Sequence, residues 1–183
     1  MDGLLSKRAG GWAAKALPWT LFSWAALGAG IFIGGFWAYK VLGWGGYWGW
    51  DPVENSSLVP WLLTGVLLHT IFLAKKRPAA IALAHFFALL SFVSVLYGTF
   101  LTRSGILSNF STHSFSDEGT GSILAGVVLL TLCISLLVFI LRLPVLPQGE
   151  LAGKMLSREG LLLGAALLLF VLAVFVTIGM STP

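Results

Sequence analysis

Five apolar runs divide this chain, at about residues 18–41, 58–74, 79–101, 122–142 and 160–180. Each approaches the ~20 residues that a helix needs to cross a ~30 Å hydrocarbon layer. The chain is therefore expected to be an all-α integral membrane protein, a single membrane domain over 1–183 with about five transmembrane helices. The second run is the shortest, and its helix is open to an earlier start than Leu58. Composition agrees: 57% of residues are hydrophobic, only 10% are charged, and the mean hydropathy is +0.93, far outside the range of soluble domains.

A net charge of +4 and a pI near 9.5 would suit a nucleic-acid partner, but the basic residues form no stripe and none is expected. Sorted by the ends of the runs, nine of the eleven (Lys7, Arg8, Lys15, Lys75, Lys76, Arg77, Arg142, Lys154 and Arg158) fall on one side, and Lys40 and Arg103 on the other. The positive-inside rule then predicts a cytoplasmic N-terminus, an outer C-terminus, and outer loops at about 43–57 and 102–121. The first run is full length and lacks a small-residue cleavage site, so it reads as retained rather than as a signal peptide. Cys133, the only cysteine, has no partner for an intrachain disulfide and is expected to be a small buried hydrophobe. No nucleophile triad, P-loop or zinc motif is apparent.

The first outer loop, GWGGYWGWDPVENSS over 43–57, packs three Trp, one Tyr, four Gly and two carboxylates into fifteen residues. Glycine between the rings permits tight or positive-φ backbone, so that Trp44, Trp48 and Trp50 can offer ring faces to one flat ligand, a porphyrin being the obvious candidate. The competing reading is an interfacial aromatic belt, which requires neither the glycines nor the adjoining carboxylates. Asp51-Pro52 and the residues after it favour a turn and a capped helix start, with Pro60 in the first turn. Asp51 and Glu54 could orient the loop, cap that helix or touch the polar edge of a ligand. His69 lies six residues before Lys75, ~9 Å along a helix, and an ionisable group at that depth is a functional candidate. His85, eight residues after Arg77, lies ~12 Å in. The two could pair; otherwise His85 hydrogen-bonds within the bundle.

The stretch WGGYWGWDPVENSSLVPWL resembles the tryptophan-rich WWD signature of the haem-handling superfamily, and within it the CcmF branch, the haem lyase component of system I cytochrome c maturation. CcsA-type synthetases share the WDP core but are less similar across VEN and PW. PWTLFSWAALGAGIFIGGFWAYKVLGWGG, GTFLTRSGILSNFSTHSF and SREGLLL extend the similarity over nearly the whole chain. Family members are much longer, and they carry a periplasmic His before the signature and a membrane His after it. This chain has only His69, His85 and His113, so it resembles the middle portion, either a split subunit or a fragment.

The resemblance implies a multi-pass protein of a bacterial inner membrane, with a mitochondrial one as the alternative. It implies haem b as substrate at the WWD loop, with His113 as one axial ligand and the other supplied by a partner chain. It matches His69 to the ligand of a second, membrane b-type haem, and gives His85 no such role. Arg103 would suit a haem propionate, or else snorkels at the interface. The expected activity is positioning haem for attachment to the CxxCH motif of apocytochrome c. The expected partners are the remaining CcmF portions, CcmH-like and haem-chaperone CcmE-like proteins, and the apocytochrome. Two rival readings are a b-type cytochrome that uses the Trp loop only as an anchor and a CcsA-type exporter component. A third, a structural, channel or transporter element, predicts no haem at all, and the scarcity of intramembrane polar residues argues against an ion pathway.

Overall fold

The structure, a computed structural model, describes residues 9–41, 46–109, 111, 113–115 and 119–181. Five helices follow one another: α1 (Ala9–Val41), α2 (Pro52–Ala74), α3 (Ala80–Arg103), α4 (Gly121–Arg142) and α5 (Arg158–Ser181), with a short 3-10 turn after α4. All five are long and apolar enough to cross a membrane. The protein is an all-α membrane bundle, as the five runs require.

α2 is its axis. It packs against α1, α3 and α5, while α4 lies along α3 alone among the helices. In the most apolar window, 61% of α2 is buried and only 6% of α4. Val59, Leu63, Val66 and Ile71 of α2 meet Ile81, Ala84 and Phe87 of α3 and Ala173, Val176 and Met180 of α5. Packing of this kind, rather than exclusion of water, holds helices together within lipid. The sparse packing of α4 overturns one expectation: Cys133 is exposed on its surface, not buried. Hydrophobicity alone does not separate a core position from a lipid-facing one.

Two boundaries differ from the apolar runs. α1 begins at Ala9, well before its run, and Trp12, Ala13, Ala16 and Leu17 of the added turns join the core. α2 begins at Pro52, so Pro60 lies in the third turn rather than the first. Pro60 has no N–H to give the Ser56 carbonyl four residues back. Gly98 of α3 comes up against that same carbonyl, where a Cβ would stand 3.1 Å from the oxygen. The missing donor and the missing side chain together let α2 and α3 approach closely.

Charge separates the two ends of the bundle. Lys75, Lys76, Arg77, Arg142, Lys154 and Arg158 sit in or beside the connections at one end. Lys40 and Arg103 close helices at the other, where the long loops lie. At that loop end, Tyr97 of α3 hydrogen-bonds Ser181 of α5 at 2.8 Å.

Candidate functional site

The polar residues of WGWDPVEN are largely spent on the loop itself. Asp51 caps α2, its Oδ1 accepting from the backbone N–H of Val53 at 2.8 Å and of Glu54 at 3.4 Å. Glu54 reaches back to accept from Gly49 N–H at 2.8 Å. Asn55, only 5% exposed, accepts from the Trp48 indole N–H and donates to the Trp50 carbonyl, both at 3.1 Å. One side-chain amide therefore fixes a ring and the backbone two residues beyond it. The positive φ that loop glycines permit falls on Trp50, at 57°, and not on Gly49. A left-handed non-glycine residue costs ~1–3 kcal/mol, and the Asn55 amide holds it there.

Above this scaffold lies an apolar cavity of about 490 Å³, lined by Ile31, Phe32 and Gly35 of α1, Tyr47, Trp48 and Trp50 of the loop, and Leu58 and Trp61 of α2. Gly35 is required: a Cβ there would stand 2.7 Å from the Tyr47 carbonyl, so a side chain would push the loop off α1. Tyr47 also stacks on Tyr39 with centroids 4.4 Å apart. Trp61 stacks on Trp24 of α1 at 5.1 Å and donates to its carbonyl. A second space of about 270 Å³ shares Ile31, Gly35 and Trp48 with the first and adds Glu54, Ser57 and His113. Trp48 is thus common to both. Tyr47 and Trp61 were not singled out from the sequence, although Trp61 is the Trp of the PW that follows the motif.

The second loop is tied to the first through Asp51. Ser111 Oγ donates to Asp51 Oδ1 at 2.9 Å and accepts from the His113 backbone N–H at 3.1 Å. His113 Nδ1 faces the same oxygen at 3.5 Å, with 28% of its side chain exposed. The larger space is walled by aromatic rings and suits a flat, mostly apolar ligand, while the smaller one, across Trp48, carries an imidazole, His113, and a carboxylate, Glu54.

The other sequence candidates lie elsewhere. Trp44 falls outside the described residues. Arg103 ends α3 with its guanidinium 4.1 Å over the ring of Phe115, and it lines neither space. His69 is half-buried on α2, and its Nδ1 lies 2.7 Å from the Gly65 carbonyl. A carbonyl only accepts, so Nδ1 is the donor in this bond and Nε2 is the ring nitrogen turned away from the helix backbone. His85 makes the same bond to Ile81 at 2.8 Å. It is only 3% exposed and stacks on Trp12 with centroids 4.1 Å apart, as a packed residue of the bundle.

Comparison with known proteins sharpens this picture. Residues 6–107 match the family model described as Cytochrome C assembly protein. The chain is 44% identical to the cytochrome c-type biogenesis protein CcmF of Pseudomonas aeruginosa over 153 residues, 83% of this chain and 23% of that one. It is 40% identical to the CcmF of Escherichia coli K12 over 167 residues, 91% and 25% of the two chains. The solved structure of Cytochrome c Heme Lyase CcmF superposes with a TM-score of 0.75 at 33% identity, covering 97% of this chain and 26% of that one. The chain spans about a quarter of the length of the curated relatives it matches.

Proposed function

This chain belongs to the cytochrome c assembly protein family, and from that membership we propose that it is the haem-handling part of a CcmF-type haem lyase. Haem b is its substrate. The observation that carries the reading is the double cavity around Trp48, aromatic and apolar on one side and reaching His113 on the other. Trp48, Trp50 and Trp61 bind the macrocycle by ring contact. His113 would supply one nitrogen to the haem iron, and a histidine outside this stretch the other. Asp51 and Glu54 act mainly by holding the loop.

Bound haem supplies two vinyl groups and a redox-active iron. Each thiol of the apocytochrome CxxCH motif adds across one vinyl double bond: sulfur joins the carbon next to the ring and hydrogen the terminal carbon, with no net electron transfer. This chain contributes orientation, by presenting one fixed face of the ring. His69 would hold a second b-type haem through Nε2, with the other ligand coming from a helix outside this stretch, and such a haem would supply a route for electrons to the outer iron. Arg103 serves the outer end as a cation for propionate or lipid. The nine-to-two charge asymmetry supports a cytoplasmic basic end, with the cavity facing the outer side of a bacterial inner membrane. Further CcmF portions, CcmH-like and CcmE-like proteins and apocytochrome c are the partners.

The test is haem titration of the chain assembled with its partner membrane subunits. Trp48→Ala should weaken outer-site affinity by about 10-fold or more, since loss of an aromatic platform costs ~1–3 kcal/mol. Haem binding unaffected by that change would favour a b-type cytochrome whose Trp loop is only an anchor.

A further inference from the structure

Asp51 does two things at once. Its Oδ1 caps α2 through Val53 and Glu54, and the same atom receives Ser111 and faces His113 Nδ1. The cap belongs to the first loop and the other two contacts to the second, sixty residues on. A helix cap needs only the first pair. Side-chain oxygens of Asn and Ser serve as N-caps about as well as that of Asp, so capping does not account for a carboxylate here. A carboxylate facing an imidazole does.

We propose that Asp51 is the positioning residue of His113, turning Nδ1 toward the carboxylate so that Nε2 is the nitrogen given to haem iron and raising its donor strength. This rests on the reading of His113 as an outer-site ligand. The tautomer and direction of a metal-binding imidazole are set by the partner of its other nitrogen. At 3.5 Å the pair is an electrostatic contact rather than a formed hydrogen bond. Closing it requires a shift of under about 1 Å, of the kind that commonly accompanies ligand binding. Ser111 sets the approach, because its hydroxyl bonds Asp51 while it accepts from the backbone N–H of His113. The aspartate that starts α2 thereby fixes the histidine of the distant loop against the wall that holds Trp48. Sequence reading treats these as separate features.

The experiment compares Asp51→Asn and Asp51→Ser with wild type in the complex assembled with its partner membrane subunits, with His69→Ala as background to leave only the outer haem. Both substitutions keep a capping oxygen and remove the charge, so one remains informative should the other fail to fold. Helix content and thermal unfolding should stay near wild type. Haem b affinity should fall about 10-fold, typical of a lost partner behind a metal ligand, and the reduction potential should move upward because a weaker imidazole donor stabilises ferric iron less. An unchanged potential with His113-dependent haem still bound would overturn the proposal and leave Asp51 as a cap. Absence of any His113-dependent haem in the Asp51-intact protein would instead overturn the ligand reading beneath it.

Discussion

His113→Ala is expected to lower outer-site haem affinity by more than about 100-fold, beyond the range of changes made behind a metal ligand, while leaving the five helices intact. The reason is geometric. His113 is the only imidazole lining either of the two spaces around Trp48, whereas His69 and His85 lie within α2 and α3. The residue sits in a loop, with 28% of its side chain exposed and outside the hydrophobic cluster between the helices, so its loss should leave helix content unchanged and shift the unfolding midpoint far less than a core truncation does. Haem titration, followed by absorbance and paired with circular dichroism, checks both halves of the prediction.

Asn55→Leu is expected to destabilise the closed loop by about 2–4 kcal/mol. The side chain is buried, and its loss strands the Trp48 indole N–H and the Trp50 carbonyl, each at ~1–3 kcal/mol. Trp50 would then have no tether for its left-handed backbone. Residues 46–55 should lose hydrogen-exchange protection by a factor of about 30 or more, since every ~1.4 kcal/mol is tenfold, while the middle of α2 keeps its own. Haem affinity should fall with it, because Trp48 lines both spaces. Unchanged loop exchange would mean that Gly49–Glu54 and the Asp51 cap suffice to hold the loop.

Much of the bundle was legible because crossing lipid demands long apolar helices, and five of them appear in the hydropathy alone. Their extents were less so. The first turns of α1 carry the polar residues of a membrane boundary, and only tertiary packing of Trp12 and Ala13 reveals them as core. Cys133 was misjudged because an apolar residue looks the same facing lipid as facing protein. Capping was one of three roles that the sequence leaves open to Asp51, and the structure shows the cap, but the reach to Ser111 and His113 depends on where the second loop lands, and no local pattern encodes that. Asn55 stood in the quoted motif without a role. Its function is a pair of hydrogen bonds to residues five and seven positions back, invisible to a reading by helix or strand period. Of the three histidines, sequence separation left a His69–His85 pair open; the structure stacks His85 on Trp12 and buries it, a contact that no sequence spacing reveals.

The most direct test of the central claim is the haem content and reduced-minus-oxidised spectrum of the chain, alone and assembled with its partner membrane subunits, for wild type, His69→Ala, His85→Leu and His113→Ala. Stoichiometric haem is expected only in the assembly, with one fraction removed by His69→Ala, a different one by His113→Ala, and neither by His85→Leu. A low-spin haem held by the chain alone, dependent on His69 and His85 and indifferent to His113, would contradict that claim.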